Sequence, residues 1–250
     1  MIHALQFLSI GVIGGFLSGL LGIGGGVVFI PLLVYLGHTP IKVATSVSMV
    51  VIIFASASGL LAHHRAKNIH FPTGLWMGIA SIFSALVGSF VSGVISDMVL
   101  YHLYTGLVAT ALIMLLLSAK RGGPPSAEFG LRKLPTLLVG ILQGLLTGLL
   151  GIGGGFIVVP FLVYLLDMPT LLAIGTSLLI ILFSAIAGLF GKIMTIQFNP
   201  TITIWVVAGS IPAAQIGAWV AQKTGQRLLR LFLIILLGLI LARVIGDLVF

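Results

Sequence analysis

Residues 17–36 read LSGLLGIGGGVVFIPLLVYL and residues 146–165 read LTGLLGIGGGFIVVPFLVYL, with fourteen of twenty positions identical at an offset of 129. Trp76, Ser81, Ile82, Ala85 and Gly88 recur in the same register as Trp205, Ser210, Ile211, Ala214 and Gly217. Shared apolar composition does not place Gly, Pro, Tyr and Trp in register, so the chain is an internal duplication. Thr45-Ser46 parallels Thr176-Ser177 once a shift of two residues is allowed.

Charged residues make up 6% of the 250, hydrophobic residues 59%, and the mean hydropathy is +1.30. A water-exposed surface cannot be tiled from so few charges, since soluble domains carry roughly 25%. Most apolar residues lie in runs near the ~20 that cross a ~30 Å hydrocarbon core as a helix. The runs lack the period-2 alternation of barrel strands, so the expected fold is all-α and membrane-embedded. Each half predicts a Gly-interrupted stretch (about 2–36 and 135–166) and three further apolar segments. These are about 43–63, 73–95 and 99–118, then 171–190, 201–221 and 228–249. The expected division is a first repeat over 1–118, a polar basic linker over 119–135, and a second repeat over 136–250.

The net charge is +8, but the basic residues sit in short loops between apolar segments, as the positive-inside rule requires, and not in a nucleic-acid patch. There is no cysteine, which excludes disulfides and thiol chemistry. The first apolar run lacks a basic leader and continues past Gly26, unlike a cleaved signal peptide. If each broken stretch enters and leaves on one side, Arg65, Lys67, Lys120, Arg121, Arg132, Lys133, Lys223, Arg227 and Arg230 share a side. Lys42, Lys192 and Arg243 then lie opposite, a 9:3 split. A single crossing gives 8:4. The first arrangement predicts oppositely oriented halves, the inverted-repeat plan of many secondary transporters, with the linker cytoplasmic.

Gly22, Gly24, Gly25 and Gly26, and Gly151, Gly153, Gly154 and Gly155, are followed by Pro31 and Pro160. Four glycines within five residues should interrupt a helix, at about 1 kcal/mol each relative to alanine. The ten residues after each break, 27–36 and 156–165, reach ~15 Å as helix, half a bilayer. Unwound backbone at membrane depth survives only beside protein or a water-filled cavity. A half-helix N-terminus offers free N–H donors and about +0.5 charge, so two that converge would hold one small anion without a basic side chain. The competing reading is close helix packing through small residues; duplication of the whole cluster with its proline favours a functional break.

Hydroxyls of Thr45, Ser46, Ser48, Ser56, Ser58, Thr176 and Ser177 are further candidate donors, set against ordinary bonding to their own backbone. Gln143 and Gln215 lie in apolar segments, where an amide lines a path or bonds a neighbouring helix. Asp97, Glu128, Asp167 and Asp247 fall in or near loops or the C-terminus, so no midplane proton relay is expected. His63-His64 beside Arg65 reads as interfacial. Nothing suggests a metal site, a cofactor or a catalytic constellation.

On the duplicated GLLGIGGGxxxxPxLxYL, the Thr-Ser pair and GSIPAAQIGAW at 209–219, the chain resembles the TauE/SafE family of sulfite and organosulfonate exporters, also called the toluenesulfonate uptake permease family. The resemblance covers essentially the whole chain. It implies a multi-pass permease of a prokaryotic plasma membrane for small sulfur-containing anions, acting alone or as an oligomer. The halves differ where Ile211-Pro212 replaces Ile82-Phe83, so Pro212 is a candidate kink in one half only. Alternative readings are a passive small-anion channel and a membrane subunit serving a partner protein.

Overall fold

The computed structural model describes residues 2–120, 133–195 and 199–249. These are helical almost throughout: α1 (Ile2–Leu21), α2 (Gly26–Leu36), α3 (Ile41–Arg65), α4 (Phe71–Ser92), α5 (Asp97–Lys120), α6 (Lys133–Leu150), α7 (Gly155–Leu165), α8 (Thr170–Thr195), α9 (Pro200–Lys223) and α10 (Gln226–Val249). Among the described residues, six helices are long and apolar enough to cross a membrane: α1, α3, α4, α6, α8 and α9. Their outward faces carry side chains such as Val12, Ile79, Phe83, Ile204 and Trp219, apolar surface that needs lipid against it. The expected linker falls largely on 121–132, outside the described residues, while Lys133–Pro135 already belong to α6.

The duplication holds helix by helix. Gly26 and Gly155, Ile41 and Thr170, Phe71 and Pro200, and Asp97 and Gln226 begin equivalent helices, every pair separated by the same offset that relates the two glycine motifs. Packing is exchanged between the halves. A Cβ added to Gly15 or Gly19 of α1 would run into the backbone of Ser210 or Ala214 on α9. A Cβ on Gly144 or Gly148 of α6 would meet that of Ser81 or Ala85 on α4. Both pairs advance together along the chain, so α1 runs parallel to α9 and α6 parallel to α4. These glycines do the close-packing work of small-xxx-small motifs, letting backbones touch.

The central helices α3 and α8 run antiparallel. Met49 packs on Gly188, Gly59 on Leu178, and His63 on Gly175, one index rising as the other falls. The first broken stretch folds back on itself: Gln6 Nε2 donates to the Leu36 carbonyl, Phe7 lies against Gly37, and Phe29 covers Gly14. Its two ends therefore sit together.

Candidate functional site

The helix ending at Leu21 does not resume until Gly26, and that ending at Leu150 not until Gly155. Gly22, Gly24 and Gly25 stand at φ 67°, 71° and 79°; Gly151, Gly153 and Gly154 stand at 67°, 78° and 64°. L side chains pay about 1–2 kcal/mol for this left-handed region, so repeated reversals select glycine. Gly26 and Gly155 are glycine for another reason. A Cβ on Gly26 would overlap the backbone of Ile152, and one on Gly155 would lie 2.6 Å from the Gly22 carbonyl oxygen. The two breaks thus touch each other, buried at the heart of the bundle. Ile181 of α8 covers both Gly24 and Gly153, and Ile52 of α3 reaches Gly153.

The carbonyls released where α1 and α6 end are satisfied from the opposite half. Ser177 Oγ lies 2.6 Å from the Gly22 carbonyl and Ser48 Oγ donates to that of Gly151 at 3.0 Å. Ser48 and Ser177 are related by the repeat offset itself, so no two-residue shift is needed, and Ser48, not Ser46, is the counterpart of Ser177. Ser46 and Thr45 instead bond the Lys42 carbonyl at 3.1 and 2.8 Å, and Thr176 Oγ1 accepts the His70 N–H at 2.9 Å. Removing the Ser177 hydroxyl strands a buried carbonyl, which costs about 1–3 kcal/mol. Ser177→Ala is accordingly expected to lower the unfolding temperature of purified protein well below that of Ser46→Ala; equal melting would contradict this assignment.

The breaks are not chemically equal. Gln143, fully buried, places Nε2 3.0 Å from the Gly153 carbonyl, 2.8 Å from Thr147 Oγ1 and 3.0 Å from Ser184 Oγ. Its counterpart in the first half is Gly14, over which the Phe29 ring lies, reaching on to Gly25. One break meets an amide and the other an aromatic ring. Gln215 and Pro212 are exposed on α9, which runs unbroken, and neither joins the breaks. Pro31 lies inside α2 where the helix loosens into a π turn over Leu32–Leu36; Pro160 lies inside α7. His63, in the last turn of α3, is fully buried within the bundle, with Nε2 3.2 Å from the Gly19 carbonyl oxygen. Lys192, which reads in the sequence as a loop-side charge, is also buried and donates from Nζ to Thr45 Oγ1 at 3.0 Å.

Two surface hollows lie apart from the breaks. One of about 330 Å3 is lined by Ala57, Leu60, Leu61, His64, Ile69, Phe71 and Leu182, and one of about 470 Å3 by Ser96, Met98, Val99, His102 and Leu103. In this conformation the glycines of both breaks are buried.

The family model described as "Sulfite exporter TauE/SafE" matches residues 7–244. The chain belongs to the TauE/SafE family. A "Probable membrane transporter protein" of Xylella fastidiosa (strain Temecula1) is 32% identical over 220 residues, covering 84% of this chain and 81% of the relative. The "Probable membrane transporter protein YunE" of Bacillus subtilis is 27% identical across 96% of this chain and 97% of its own. The "Probable membrane transporter protein MJ0441" of Methanocaldococcus jannaschii is 29% identical across 92% and 91%. No solved structure matches. This TauE/SafE chain is a multi-pass membrane transporter, and its relatives carry the names of transporters, not enzymes.

Proposed function

We propose that this transporter moves a small sulfur-containing anion, such as sulfite, thiosulfate or an organosulfonate, across a prokaryotic plasma membrane by alternating access. The observation that carries the reading is the meeting of two left-handed glycine breaks at one buried point, from which α2 and α7 both begin. Each half-helix directs its first N–H groups and about +0.5 charge toward that point, and glycine lets the backbone approach without a Cβ in the way. The anion sits between Gly25-Gly26 and Gly154-Gly155 when the halves part, with Gln143 against one break and Phe29 against the other. The glycines at 22, 24, 151 and 153 shape the turns, and Thr45, Ser46, Thr176 and Ser177 line the approach; Gln215 and Pro212 stand apart from it.

The antiparallel α3 and α8, as equivalent helices, support halves of opposite orientation in the bilayer. The 9:3 split of basic residues read from the sequence supports a cytoplasmic linker side. Burial of both breaks favours a cycle of opposing openings over a permanently open pore. An inside-negative potential contributes about 2.3 kcal/mol per charge per 100 mV, so an uncoupled anion flows outward.

Proteoliposomes given labelled sulfite, thiosulfate and small sulfonates are expected to show slow, saturable uptake of at least one. Monodisperse protein that neither binds nor moves any of the panel would overturn the reading, and single-channel currents would make it a pore.

A further inference from the structure

Near their C-terminal ends, α3 and α8 each bury one basic side chain, His63 at 0% and Lys192 at 2% exposure. The two positions are equivalent under the repeat. Each reaches the mouth of a break. His63 Nε2 lies 3.2 Å from the carbonyl of Gly19, three residues before Gly22. Lys192 Nζ donates to Thr45 Oγ1 at 3.0 Å, and Thr45 in turn abuts the second break, its carbonyl oxygen 2.5 Å from where a Cβ of Gly151 would stand. Because α3 and α8 run antiparallel, the two bases flank the paired breaks from opposite ends.

Basic side chains buried inside a membrane bundle are costly and are candidates for the route of an ion. Helix termini and peptide N–H groups supply only partial charges, whereas an ammonium supplies a whole one. We propose that Lys192 is an anion-binding residue of the carrier, donating a charge-assisted hydrogen bond to the oxyanion as it passes the mouth of the second break. The Thr45 hydroxyl gives its own proton to the Lys42 carbonyl at 2.8 Å, so it meets the ammonium with a lone pair and holds it beside Gly151. The three rotatable N–H donors of an ammonium let it exchange a resting partner for a passing oxyanion while Thr45 keeps it in place. The inference rests on the anion-carrier reading and adds to it a basic side chain where that reading had only peptide groups and hydroxyls.

The absence of native cysteine allows a direct test, because Lys192→Cys introduces a single thiol. Flux is measured in proteoliposomes for wild type, Lys192→Cys and Lys192→Met, with whichever labelled anion of the sulfite, thiosulfate and sulfonate panel the wild type carries fastest. KM is expected to rise at least about tenfold in both variants, the factor set by one charge-assisted hydrogen bond. Treating the Cys variant with 2-bromoethylamine, which rebuilds a terminal ammonium, should restore most of the loss, and bromoethane should not. A KM within about twofold of wild type, on the scale where tenfold is one such bond, overturns the inference, as does equal rescue by both reagents. If neither variant folds, Thr45→Val decides: it keeps the Lys192 side chain but removes the Thr45 hydroxyl that holds it beside Gly151, and an unchanged KM overturns the proposal. Wild-type protein that carries nothing in the panel refutes the carrier reading itself; a transporting wild type matched by Lys192→Cys refutes only the role of Lys192.

Discussion

Gly154→Val is expected to insert, fold and purify as a monodisperse protein and yet to transport nothing measurable. Gly154 stands at φ 64°, where a β-branched residue is strained, and a Cβ there would lie 2.7 Å from Gln143 Cγ and 2.8 Å from its Nε2. The obstacle is a side chain and not the backbone of a neighbouring helix, so the bundle is expected to survive, but the start of α7 and the amide facing it lose their positions. Misplacement of a binding group by about 1 Å costs on the order of a hundredfold in rate, and here two groups move together. Gly106→Ala is the matched control: Gly106 lies within α5 with open space where its Cβ would go, so alanine should stabilise the helix by about 1 kcal/mol and leave flux unchanged. Flux normalised to folded protein separates the outcomes, and wild-type flux in Gly154→Val would return the second break to a packing role.

The opposite phenotype is expected at Gly19. Its Cβ would overlap the Ala214 carbonyl, and its counterpart Gly148 would overlap that of Ala85. Here the obstacle is backbone on a rigid neighbouring helix, so α1 and α9 must separate along their whole shared face. Lipid tails are as apolar as the side chains, so little besides close packing holds such helices together. Gly19→Val should cost at least the upper end of the about 1–3 kcal/mol typical of over-packing. It should show as a marked fall in unfolding temperature and in monodisperse yield. The double variant Gly19→Val/Gly148→Val strikes two separate interfaces, so its losses should add. Unfolding of Gly19→Val within a degree or so of wild type, where about 1 kcal/mol shifts Tm by a few degrees, would mean that these glycines are not the contact surface.

The two experiments divide residues that the sequence does not distinguish. Gly19 and Gly22 are three residues apart in one apolar run, and only the backbone reveals that one is helical and packs while the other reverses at φ 67°. The membrane class, the duplication and the positions of both breaks were legible because period, composition and helix interruption are local properties of the chain. The hydroxyl register was not. Matching Thr-Ser to Thr-Ser by identity introduced a two-residue shift, whereas the helices keep a uniform offset and pair Ser48 with Ser177 across the halves. At that same offset, Gln143 facing Gly14 was visible in the sequence as the one strong polar difference near the breaks. The burial of Lys192 and His63 was not legible, because a base in the last turns of an apolar helix reads as exposed until it is known which neighbours cover it. Gln215 and Pro212 lie on α9, but exposure depends on which face that helix turns to α1 and α3, and sequence alone leaves that open.

The paired breaks as the anion site are tested most directly by a density map of the carrier bound to 2-bromoethanesulfonate, with bromine located by anomalous scattering. The expected result is the sulfonate between the first N–H groups of α2 and α7, within hydrogen-bonding distance of the Gly26 or Gly155 amide, and the two breaks drawn apart to admit it. Bound sulfonate at any other place, with the breaks still packed as they are here, would contradict the account.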